Sequence, residues 1–188
     1  MRVPSGRVAR ALELTAIGVA SLALSVGMIA VLSGFFAGRD QANVSGLTSA
    51  PGQTFRDQGH AQLQPTELRP AYDSDPPTSG PHAPEPVLRD GTQLSDDQLL
   101  EALQVGDVVI MYGTRAAPPG LTALARAVAS PFTPALASAG QAVILARRPG
   151  AVGLIALAWT HMLRVSSASD PGLRQFAEFW LGRGAPSR

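Results

Sequence analysis

The chain has 188 residues, a net charge of +1 and 45% hydrophobic residues, with a mean hydropathy of +0.12. It contains no cysteine, which excludes disulfides, thiolate zinc sites, iron–sulfur clusters and thiol catalysis. It contains no lysine either, so Schiff-base chemistry and a P-loop lysine are excluded, and the near-neutral charge argues against nucleic acid as a partner.

The hydrophobicity is concentrated near the start. Residues 14–38 run 25 residues without a charge. As a helix this run reaches roughly 37 Å, enough to cross a hydrocarbon core of about 30 Å. Its apolar core is longer than that of a signal peptide, and Phe35 stands where cleavage near Ala37 needs a small residue. The expectation is an uncleaved anchor in a lipid bilayer, following a cytoplasmic tail over 1–13. Arg2, Arg7 and Arg10 precede the run, whereas Arg39 and Asp40 cancel after it. The positive-inside rule then makes the N-terminus cytoplasmic and the rest extracytoplasmic. Small residues at four-residue spacing (Ala23 and Gly27, then Ala30, Gly34 and Gly38) form a face through which two copies can pair as a homodimer.

Residues 39–70 are polar and punctuated by Pro and Gly, and read as a tether that becomes an ordered, extended loop near its end. Eight of the sixteen prolines lie within 51–86, which excludes a continuous helix or a central strand there. The folded domain is expected over 71–188. Ser95 is positioned to cap a helix, with Gln98 completing a capping box, Leu99, Leu100 and Leu103 forming an apolar face, and Gly106 ending it. Asp107 to Tyr112 is a short, β-branched apolar run, read as a buried strand. Pro118 and Pro119 open a helix over about 120–129, and Gln141 to Arg147 is a further strand. The run from Gly153 to Val165 is one long strand or two adjoining ones. Asp170 or Ser169 caps a final helix, with Leu173, Phe176 and Trp180 on one face and Gly182 at its end. The fold class is therefore α/β or α+β: one N-terminal transmembrane helix, then a small mixed sheet with packed helices.

The most distinctive segment is AYDSDPPTSGPH, Ala71 to His82. Pro76 and Pro77 impose extended geometry on the residues before them. Gly80 permits a turn closed to other residues, and Pro81 fixes the next φ. Tyr72, Thr78, Ser79 and His82 are the polar members of this rigid piece. With Gly59–His60 ahead of it and the strand GDVVIMY after it, the segment resembles a family of bacterial membrane-anchored proteins grouped as domain of unknown function 3105. LIALAWTHMLRV and RQFAEFWLGRG, near the end, resemble the family's closing strands and helix. The resemblance covers roughly residues 55–188. It also implies a His-x-Leu-Glu-His-Gly motif before the first strand. This chain reads Glu101-Ala102-Leu103-Gln104-Val105-Gly106 there, so both histidines and the glutamate of that pattern are replaced.

Two chemistries suggest themselves. His60 and His82 are candidate metal ligands, with Asp73 or Asp75 as oxygen donors, and copper or zinc is the matching cofactor; a stable zinc site usually needs three or four protein ligands. Otherwise no cofactor is expected, and His82 bonds within its own turn while His60 is solvated. Ser79 and His82 have the residue types of nucleophile and base, but Ser79 sits in no strand-to-helix elbow and no orienting acid is apparent. The sequence thus favours a non-catalytic binding or scaffolding module of the cell envelope, acting on an envelope protein partner.

Overall fold

A computed structural model describes residues 50–64 and 66–186. The expected cytoplasmic tail, transmembrane helix and small-residue pairing face lie outside these residues. Among the described residues no helix is long and apolar enough to cross a membrane.

The chain in this region builds one five-stranded sheet and four helices. In chain order these are β1 (Gln53–Thr54), α1 (Asp96–Val105), β2 (Val108–Tyr112), α2 (Leu121–Val128), α3 (Pro134–Ser138), β3 (Val143–Arg147), β4 (Leu154–Ala158), β5 (His161–Val165) and α4 (Pro171–Trp180). The strand order is β1-β5-β4-β2-β3. β2 and β3 are parallel, with Ile110 opposite Leu145, and the other pairings are antiparallel.

The central strands β2 and β4 are buried along their whole length. That is why they read as continuous apolar runs rather than alternating ones. Side-chain alternation gives the sheet two cores. On one face Val109, Met111, Ile144, Ile155 and Leu157 meet Leu99, Leu100 and Leu103 of α1 and Ala137 of α3. On the other, Ile110, Leu145, Leu154 and Ala156 meet Leu121 of α2 and Leu173 and Phe176 of α4.

Helix boundaries follow the local chemistry. The Ser95 side chain accepts from the Gln98 N–H and the Gln98 side chain accepts from the Ser95 N–H, so the capping box forms as expected. Gly106 closes α1 at φ +114°. Asp170 caps α4, with Pro171 in its first turn.

Of the two readings of the run from Gly153 to Val165, the second holds: β4 and β5 are adjoining strands paired as a hairpin, turning at Trp159–Thr160 with Ala158 opposite His161. Thr160 adopts φ +61°, unfavourable for a β-branched residue, so no turn signal marked the site. The short helix α3 has a local start signal in its Thr133 cap and Pro134, but its five residues carry too little periodicity to mark a helix in the sequence. Within the expected tether, order begins well before residue 70: Gln53 and Thr54 pair with Met162 and His161 as an edge strand. Proline-rich chain can still be ordered when backbone and side-chain partners elsewhere in the fold hold it.

Candidate functional site

The proline motif is an internal clamp. It threads between the segment 56–63 on one side and the β4–β5 turn on the other. Thr78, Ser79 and His82 are each 0% exposed. The Asp75–Pro76 bond is cis. Ser79 Oγ donates to the Arg56 carbonyl at 3.0 Å and accepts from the Gln58 N–H at 3.1 Å. The His82 N–H donates to the Ala61 carbonyl, and the Leu63 N–H donates to the His82 carbonyl. The Thr78 carbonyl accepts from the Thr160 N–H at 2.9 Å, and the Thr160 carbonyl accepts from the Phe55 N–H at 2.8 Å. Both backbone groups of the strained turn residue are therefore held from outside the hairpin.

Tyr72 secures the motif from within. Its hydroxyl donates to the Pro81 carbonyl at 2.8 Å, and its ring lies against Gly80. Gly80 has φ +138°, and a Cβ there would meet the Tyr72 ring at 2.6 Å. Burial, then the nearby Asp97 charge, pushes the Tyr72 hydroxyl above its ordinary value. Pro76 and Pro77 lead into this turn, but the residues before them, 73–75, bend rather than extend. Asp75 pairs with Arg148, and its carbonyl accepts from Arg164 at 2.7 Å.

His82 donates from Nδ1 to the Gly80 carbonyl at 2.9 Å, the bond expected within its own turn. Its Nε2 faces Glu101 Oε2 of α1 at 3.4 Å and has no hydrogen-bond partner. His60 is not simply solvated: it is partly buried, and its ring meets Trp159 edge-on with centroids 6.0 Å apart. Asp73 accepts from the Arg56 N–H. Among the described residues no group of three or more His, Cys, Asp or Glu could hold a metal ion. The residues present therefore do not fit the donor set that copper or zinc requires.

Three acids of the α1 region join this neighbourhood and were not legible as site residues. Asp97, in the first turn of α1, is 4% exposed. It accepts from the Arg69 guanidinium and from the Ala83 N–H. The Arg69 hydrogen bond outweighs burial and holds its carboxyl below the usual range. Glu101 sits one turn further on and reaches His82. Asp107, at the start of β2, is 1% exposed. Its Oδ1 accepts from the Ala142 N–H at 2.8 Å, while Oδ2 has no partner. Burial, only partly opposed by that hydrogen bond, pushes the Asp107 carboxyl up to about 7. Asp107 borders the apolar run that became β2, and nothing in one sequence distinguishes a buried strand-edge carboxyl from a solvated one.

Fold and motif together define a small α/β domain, with helices on both faces of a mixed sheet and a buried Pro-Pro-Thr-Ser-Gly-Pro-His clamp. The chain belongs to the family of proteins of unknown function DUF3105, whose profile matches residues 64–187. No curated protein and no solved structure matches it.

Proposed function

We propose that this protein is a non-catalytic binding or scaffolding module of the cell envelope, held to a bilayer by residues 14–38 with its folded domain extracytoplasmic. The observation that carries the non-catalytic reading is the state of Ser79 and His82. Both are fully buried; the Ser79 hydroxyl is committed to two backbone groups and His82 Nδ1 to a third. A nucleophile must reach a substrate, and a general base must reach the proton that it removes. The charge-free run of 25 residues and the arginines ahead of it support the anchor and its direction.

The test is membrane fractionation of bacterial cells expressing the full chain, with alkaline extraction and external protease. The expected result is a chain that resists extraction and is cleaved from outside, and that becomes extractable when 14–38 is replaced by a polar linker. Extraction of the wild-type chain by alkali would remove the anchored reading. Turnover by the purified protein that is lost in Ser79→Ala would remove the non-catalytic one.

A further inference from the structure

A pocket of about 90 Å³ opens between α1, α3 and the start of β2. Its walls include Val87, Ala102, Val105 and Ala137, and two carboxyls, Glu101 and Asp107, line it. The Asp107 residue is 1% exposed, and its Oδ2 has no partner. A buried carboxyl oxygen without a donor is costly and calls for a ligand, a water or a proton. Among the described residues no arginine pairs with either carboxyl. The chain has no lysine to supply the missing cation itself. On the side of the motif clamp, His82 Nε2 lies 3.4 Å from the same Glu101 carboxyl.

We propose that this pocket binds a primary alkylammonium group, with Glu101 and Asp107 receiving its N–H donors and the apolar walls receiving its first carbons. This specifies the ligand of the binding module described above and rests on that reading. The chemistry matches on three counts. A primary ammonium has three donors and no acceptor, which suits a pocket whose two charged groups only accept when ionised. Hydrogen bonds between ammonium and carboxylate are charge-assisted, and they strengthen where water is excluded. The pocket is small and its walls beside the two acids are apolar, which fits an ammonium carried on a short alkyl stem. A metal ion is disfavoured because the described residues bring no third ligating side chain to the pair. Asp107 already sits near neutrality, so a cation beside it draws it to the ionised form at small cost.

The amine has two possible sources, a free short-chain amine or the side chain of a lysine on another protein. The experiment uses the full chain in detergent micelles, followed by backbone amide NMR shifts. Ethylammonium chloride probes the free amine and Nα-acetyl-lysine amide probes the lysine side chain. Potassium chloride and tetramethylammonium chloride are the controls. Ethylammonium is expected to produce saturable shifts at the Ala102, Val105 and Ala137 amides, absent with either control. Affinity is expected to fall about tenfold or more in both Glu101→Gln and Asp107→Asn, as the loss of a charge-assisted hydrogen bond requires. Asn retains the oxygen that accepts from Ala142, and Glu101→Gln serves alone if Asp107→Asn does not fold. Acetyl-lysine amide binding as tightly as ethylammonium assigns the site to a lysine, and binding of ethylammonium alone assigns it to a free amine; both support the proposal. Absence of saturable shifts in the wild type, or equal affinity in the variants, overturns it and leaves the scaffolding reading standing. Conversion of bound ethylammonium to a new species in the same spectra would overturn the non-catalytic reading and leave the site.

Discussion

Ser79 shows how a polar residue in a proline-rich turn becomes structural. Its hydroxyl donates to one backbone group of the segment 56–58 and accepts from another. Ser79→Ala therefore leaves a carbonyl and an N–H without their partner, and is expected to destabilise the domain by about 1–3 kcal/mol. Urea denaturation checks this, and a change within error would show that water replaces the hydroxyl. Asp107 makes the opposite kind of prediction. Its folded carboxyl is raised to about 7, against about 3.9 in an unfolded chain. The folded state binds the extra proton between those values, so this group's contribution is fully present below about pH 4 and is lost as pH rises toward 7. Asp107→Asn removes the ionisation. The variant is expected to be more stable than wild type at pH 8 by roughly 1–3 kcal/mol, the advantage vanishing near pH 4. Asp97 runs the other way. Arg69 depresses its carboxyl, so its contribution is present above about pH 4 and is lost on further acidification. Parallel stability curves for wild type and Asp107→Asn across pH would refute the assignment.

At the scale of elements, close backbone approach decides which glycines cannot change. Gly140, between α3 and β3, has φ +67°, and a Cβ there would collide with the Val105 carbonyl oxygen at the end of α1. Gly140→Ala is expected to cost about 3 kcal/mol or more, because neither the backbone of α1 nor the turn can yield without loosening the first core. A drop in melting temperature of only a degree or two would show that this contact relaxes. The elements that the sequence announced correctly have local causes. The capping box of α1, the Pro and Asp at the head of α4, and the β-branched run of β2 all act within a few residues of chain. The elements it hid depend on distant partners. β1 exists only because β5 offers an edge, and the hairpin turn at Thr160 is held open to an L residue by Thr78 and Phe55.

Over the whole molecule, the segment 50–63 is the part whose role is most underestimated by composition. It supplies the edge strand, both backbone partners of Ser79, the strand-like pairing with His82, and the Pro51 carbonyl that accepts from Trp180 Nε1 at 2.9 Å. Deleting residues 50–63 from the full chain is expected to abolish cooperative unfolding or to lower the melting temperature by well over 10 °C, since several buried polar groups lose partners together. Circular dichroism melts check this. A deletion that melts like wild type would restore the tether to its full expected length.

Local chemistry along the chain was enough to exclude thiol chemistry and to establish the family, the helix caps, the buried central strands and the turn in Pro-Pro-Thr-Ser-Gly-Pro-His, because each depends on composition or on neighbours a few residues apart. It also made His82 the centre of attention and anticipated its bond within the turn. The three-dimensional arrangement decided that Ser79 and His82 are buried, that His60 packs on Trp159, and that Glu101 and Asp107 face one small pocket. Those outcomes depend on contacts between residues far apart in the chain, and on which carboxyls lose their water when helices close over a sheet.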